Sequence, residues 1–175
     1  MTFAGKTNKE NGVLIVDGGC DTTVCGNGFR TISTSNGKAS LVGFAEDKVE
    51  NNVPIGTAVT VVDLPDGTAL LLQVNEGLIL TGNNNSLLSC NQVRDYGVVI
   101  NDVPKRFGGT QNLQVDGVVV PFELKRALLT CNIRVPTDQE LHNTPMIILS
   151  SDKEWDPDLL TDGPLSPDQI KEMNN

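Results

Sequence analysis

The sequence predicts a mainly β domain, a closed or nearly closed barrel with one short internal helix and a mostly irregular acidic tail. Three observations predict it. Short runs rich in Val, Leu and Ile recur between residues 12 and 149, bounded by glycine, proline or asparagine clusters. One internal stretch carries both a helix start and a helix stop. After residue 150 the strand pattern ends, and Asp, Glu and Pro accumulate. The chain therefore divides into a flexible segment over 1–11, a β domain over 12–149 and an acidic tail or linker over 150–175 that ends in a short helix.

Taken in order, Gly12 to Asp17 is a short apolar run ending at an acid, with the length and branching of a buried strand. Gly18-Gly19 then predicts a sharp turn that uses the conformational freedom of glycine. Phe29 to Phe44 predicts two strands around Ser35-Asn36-Gly37, because Asn-Gly between β runs is a strong hairpin signal. Gly56 to Leu80 predicts a second hairpin, turned at Pro65-Asp66-Gly67, with Gly77 as a further break. Ser89 as cap, Gln92 three residues on and Gly97 at the end predict a helix over Cys90 to Tyr96.

Strand patterns resume at Val98–Asn101, Leu113–Val115 and Val118–Leu124, with a tight turn at Asp116-Gly117. Thr137 with Glu140 marks a brief helix start, and Ser166-Pro167-Asp168-Gln169 marks another. The expected core holds Val13, Ile15, Val59, Val61, Leu71, Val74, Leu87 and Leu88. Residues 151–175, which lack a β pattern, are expected to be removable with little loss of fold.

Composition narrows the function classes. Hydrophobic residues make up 38% and charged residues 20%, a globular balance. Aromatics are only 4%, so aliphatic side chains must build the core. The net charge is −9 and the longest basic cluster is Lys105-Arg106, which argues against direct binding to nucleic acid. No run approaches the ~18 apolar residues of a membrane span. Met1 to Lys6 does not open a signal peptide, so the expected setting is the cytoplasm with reduced thiols. Cys20, Cys25, Cys90 and Cys131 form no Cys-x-x-Cys pair and His142 is the single histidine, so neither a metal site nor a cofactor is expected.

A strand that ends in Asp and breaks into glycine lets backbone N–H groups approach the carboxylate. The order Val13-Leu14-Ile15-Val16-Asp17-Gly18-Gly19-Cys20-Asp21-Thr22 resembles the active-site segment of retropepsin-like aspartic proteases. In that family apolar residues precede Asp, then Thr or Ser, Gly and a small residue. Downstream, Ser86-Leu87-Leu88-Ser89 and the residues to Val98 resemble the Leu-Leu-Ser segment of copia-type retrotransposon polyproteins. Asp102 to Gly109 and Arg134 to Leu141 are similar to polyproteins of algal and related copia-like elements, so the resemblance runs from residue 12 to 142.

The resemblance implies a retropepsin-like closed barrel that works as a homodimer on a polypeptide substrate, with a virus-like particle as a further possible setting. It implies Asp17 as the catalytic residue, one from each chain, with Gly18, Gly19, Cys20, Asp21 and Thr22 as the active-site loop. It also implies a hairpin flap over the substrate, for which Ser35, Asn36 and Gly37 are the candidates by position. Gly18 departs from the family pattern: it lacks the hydroxyl that ties the two active-site loops together, a role that Thr22 or Thr23 would have to take over. Cys20 reads as a packed thiol and Asp21 as a turn residue. That departure keeps a second expectation open, a retropepsin-like module that has lost catalysis and serves assembly or protein binding. A third is an unrelated β-rich structural subunit that associates through strand edges.

Overall fold

The computed structural model describes residues 10–43 and 47–173. Most of the expected flexible segment 1–11, and Phe44 of the first predicted hairpin, lie outside the described residues. The strands are β1 (Asn11–Asp17), β2 (Val24–Cys25), β3 (Arg30–Val42), β4 (Val49–Asp63), β5 (Ala69–Ile79), β6 (Asn85–Ser89), β7 (Val99–Asn101), β8 (Asn112–Val115), β9 (Val118–Pro121), β10 (Glu123–Lys125), β11 (Leu128–Arg134) and β12 (Met146–Ile148). The helices are α1 (Cys90–Asp95), α2 (Asp138–Asn143) and α3 (Pro167–Met173), with 3-10 turns at Lys105–Phe107 and Pro157–Thr161. The protein is mainly β.

The larger sheet runs in the order β10-β11-β1-β6-β2-β5-β4-β3, with β12 added alongside β5. Within it β1 is a hub. It pairs antiparallel with β11 on one side and parallel with β6 on the other, which sets Asp17 opposite Ser89. One further pair, Arg134 with Val61, joins β11 to β4. The strands β7, β8 and β9 form a second, antiparallel sheet. The main core includes residues of both sheets, among them Leu14, Leu72, Leu88, Ile100, Leu113 and Val120.

Turn chemistry places several elements where the sequence puts them. Gly67 has φ +87° and its N–H donates to Leu64 O, while the Asp66 carboxylate accepts from Thr68; this turns β4 into β5. Asp116 and Gly117 both take positive φ, as a tight hairpin turn requires, and join β8 to β9. Helix α1 ends in a Schellman arrangement: Val98 N–H donates to Val93 O and Gly97 N–H to Arg94 O, with Gly97 left-handed. Both later helices carry the expected reciprocal caps, Thr137 with Glu140 and Ser166 with Gln169.

Three expectations are corrected. Ser35-Asn36-Gly37 is not a turn. Thr34 pairs with Gly56 and Lys38 with Pro54, so these three residues bulge opposite Ile55 within one long strand. Neither Asn36 nor Gly37 has the positive φ of a type I′ turn, and the chain reverses only between Val42 and Val49. Gly77 does not break β5; it lies in a bulge beside Glu76, whose φ is +54°.

The β1 core expectation is out of phase by one residue. Leu14 is buried and Val16 packs on the main core, while Val13 and Ile15 are half-buried on the other face. Leu87 is likewise only half-buried, in a smaller cluster with Val24, Val53 and Leu78. Val59, Val61 and Leu71 are buried as expected, but with Leu141 of α2 rather than in the main core. The tail touches the sheet and the Asp17 loop. Ser150 is buried against Asn75, and Trp155 reaches Asp21.

Candidate active site at the end of strand β1

Asp17 is the last residue of β1, and the chain turns directly after it. The backbone N–H of Gly19 donates to Asp17 Oδ1 at 2.8 Å. A Cβ at Gly19 would stand 3.3 Å from that oxygen, so glycine there allows the close approach. Gly18 is different: a Cβ would meet nothing within 4 Å, and neither glycine of this turn has positive φ. The expectation that the turn needs left-handed glycines is therefore corrected, and its geometry would admit a side chain at position 18.

The rest of the loop is held from behind. The Thr23 N–H donates to Gln92 Oε1 at 2.8 Å, and Gln92 Nε2 donates to Glu76 O at 3.0 Å. Thr23 Oγ1 accepts from Ser89 N–H at 3.1 Å. Ser89 caps α1 as expected, accepting from Gln92 N–H at 3.2 Å. The Gln92 side chain does not return the bond to Ser89; it spans from the loop to the β5 bulge. The buried hydroxyl of Thr23 is thus engaged within the chain.

On the far side of the loop, Trp155 Nε1 donates to Asp21 O at 2.9 Å. Sequence reasoning did not assign Gln92 or Trp155 to the site. In the sequence Gln92 reads as a capping residue, and Trp155 as a tail side chain able to dock on the barrel, with no signal that ties either to the Asp17 loop.

The loop itself borders a cleft of about 560 Å³. Asp17, Gly19, Cys20, Asp21 and Thr22 line one side, Ser40 to Gly43 at the end of β3 line another, and Leu78 and Leu87 add apolar surface. Gly18 does not line it, nor do Ser35, Asn36 and Gly37. The hairpin arm that faces the loop is Ser40–Gly43, which begins three residues beyond Gly37. Its sequence signal is weak because most of β3 is exposed and shows no apolar alternation. A larger cleft of about 720 Å³ lies at the opposite end of β1, around Asn11, Asn27 and Asn132. Its charged pair, Asp63 and Arg134, is already joined.

Cys20 is half-buried and its thiol donates to Thr22 O at 2.7 Å. Burial, with Asp17 and Asp21 nearby, pushes the thiol up to about 11 from its ordinary 9.0, so it stays protonated at neutral pH. Burial also raises Cys25, Cys90 and Cys131. The cleft therefore offers carboxylates and backbone donors, not a thiolate. Among the described residues no group of three or more His, Cys, Asp or Glu side chains is placed to hold a metal ion. No helix among them is long and apolar enough to cross a membrane.

No protein-family model matches the chain, and neither a curated protein nor a solved structure matches it.

Proposed function

We propose that the chain is an aspartic endopeptidase of a copia-type retrotransposon polyprotein, which pairs with a second copy so that two Asp17 carboxylates share one site. The observation that carries this reading is the meeting of Asp17 and the arm Ser40–Gly43 across one cleft. A strand-end carboxylate below a hairpin arm can hold an extended peptide between the two. The sheet path supports the barrel part of the reading: β11, β1, β6, β2, β5 and β4 follow one another, and the Arg134–Val61 pair returns the path to β11.

Two carboxylates brought together cannot both ionise cheaply, so the pair holds one proton between them. The charged member takes a proton from water as that water attacks the peptide carbonyl; the protonated member polarises the carbonyl oxygen. Gly19 N–H orients the Asp17 carboxylate, and Gln92 and Trp155 hold the loop behind it.

The test compares the parent with Asp17→Asn on a mixed peptide library between about pH 4 and 7, the range in which coupled carboxylates share a proton. The expected result is cleavage by the parent, strongest on the acid side, and none by a folded Asp17→Asn protein. Cleavage that survives the substitution removes the mechanism.

Gly18 favours a second reading, a non-catalytic module with the same fold used in assembly, because the loop lacks the hydroxyl that would tie it to a partner. A two-fold dimer that cleaves nothing would select that reading.

A further inference from the structure

We infer that Trp155 is a positioning residue for the Asp17 loop, supplied by a strap that runs from Ser150 across helix α1 to the loop. The inference rests on the peptidase reading for its catalytic consequence, but not for its structural content.

The strap is pinned at both ends. At Ser150 three hydrogen bonds join it to Asn75 of β5. Asn75 N–H donates to Ser150 Oγ at 2.8 Å, Asn75 Nδ2 to Ser150 O at 3.0 Å, and Ser150 Oγ to Asn75 O at 2.6 Å. Five residues later the Trp155 indole N–H meets Asp21 O. Between the pins the strap passes Gln92 and Asp95 of α1, with which it encloses a small cleft of about 170 Å³. Beyond it, Asp156 caps the turn Pro157–Thr161 and redirects the chain.

The bond ties down a stretch that no strand ladder holds. Residues 18–22 lie outside the strands, and Gly18, Gly19 and Asp21 are exposed, so side-chain bonds are what set their peptide groups. Trp155 fixes the peptide unit between Asp21 and Thr22 through its oxygen. The next unit is held at both atoms: Thr22 O accepts from Cys20 Sγ, and Thr23 N–H donates to Gln92. Two successive peptide planes, Asp21–Thr22 and Thr22–Thr23, are thus set by side chains: Trp155 of the strap holds the first, and Cys20 of the loop with Gln92 of α1 holds the second. Rotation of either plane would move the wall of the cleft that holds Asp17. Burial beneath the strap also raises the Glu76 carboxyl, an effect that the Trp155 backbone N–H partly offsets.

Trp155 is the only tryptophan, so the whole chain can be made with β-(3-benzothienyl)alanine in its place. That side chain keeps the shape and exchanges the N–H for sulfur. The readouts are amide hydrogen exchange at Gly19 and Thr23, the loop amides that donate hydrogen bonds, exchange at Val61 and Leu72 as internal controls, and kcat and KM for peptide cleavage.

The expected result is exchange in the loop faster by roughly two- to tenfold, the loss of one hydrogen bond, with the controls unchanged. With it kcat falls by a similar factor while KM holds, and Trp155→Phe behaves like the isostere. Loop exchange that does not change in the isostere overturns the inference, as does an equal rise in the controls, which would mark a general loss of stability. A parent that cleaves nothing, with a loop that still responds as stated, overturns the peptidase reading and leaves the positioning role intact.

Discussion

Two residues of the loop decide between the readings of its chemistry. Gly18 is the first, because the space around it is open and its φ is not positive. A Cβ there meets no atom within 4 Å, so a threonine can be built on this backbone and its hydroxyl offered to a second loop. Gly18→Thr is therefore expected to fold with unchanged stability and to tighten a homodimer by about 0.5–1.5 kcal/mol for each hydrogen bond gained. Sedimentation equilibrium on parent and variant measures this; a variant no more dimeric than the parent counts against a shared active-site loop. Cys20 is the second. Its raised thiol carries about a hundredfold less thiolate at neutral pH than an unshifted one. Iodoacetamide should modify it correspondingly slowly at pH 7, as read by mass spectrometry of the peptide around it, and rapid labelling would reopen a thiol mechanism.

At the scale of elements, legibility in the sequence followed the strength of local rules. Turns fixed by backbone geometry, such as Pro65-Asp66-Gly67 and Asp116-Gly117, and caps fixed by side-chain reach, such as Thr137 and Ser166, stand where the sequence puts them. The Asn36-Gly37 signal failed because the partner strand runs on past it, and pairing with β4 turned a turn motif into a bulge. The Ser89-Gln92 capping box is half-realised for a related reason. Gln92 gains two tertiary bonds, to Thr23 and Glu76, in place of one local bond. Gln92→Leu should leave the Thr23 N–H buried without a partner and cost about 1–3 kcal/mol, read from urea unfolding. A smaller cost than for an exposed substitution such as Asn91→Ala would show that Gln92 does not hold the loop. The tail divides in the same way. Deleting 163–175 should leave the melting temperature unchanged, because its described residues are exposed apart from Met173, whose side chain is not described. Deleting 151–175 removes Trp155 and should cost roughly 1–2 kcal/mol through lost burial and one hydrogen bond. Equal melting of both truncated forms would return the whole tail to the role of a linker.

In the whole molecule, the join between β11 and β4 rests on a single strand pair, and Arg134 reinforces it in a way that neither hydrophobic period nor turn chemistry could foretell. Its guanidinium donates to both oxygens of Asp63 on β4, at 2.9 and 3.0 Å, and to both oxygens of Glu140 on α2, each at 2.8 Å. The partners lie 71 and 6 residues away, so only the fold brings the three charges together. Hydrogen bonds from Arg134 hold the Glu140 carboxyl down at about 2 from its ordinary 4.5, and lower Asp63 as well. A carboxylate depressed by folding adds stability that is present above its unfolded value and lost as the pH falls through its folded value. The stabilisation should therefore be full at neutral pH and fade between about pH 4.5 and 2. Glu140→Gln tests this cleanly, since the amide oxygen can still accept the cap bond from Thr137 N–H. The groups are partly open to water, so the expected loss at pH 7 is small, about 0.5–1 kcal/mol, and smaller again in high salt. Urea unfolding at several pH values should show the two proteins converging as the pH falls towards 2. Parallel curves, with the same difference at pH 7 and pH 2, would mean that the ion pairs do not carry the join, and that packing of Leu141 over Val61 and Leu71 holds α2 against the sheet instead.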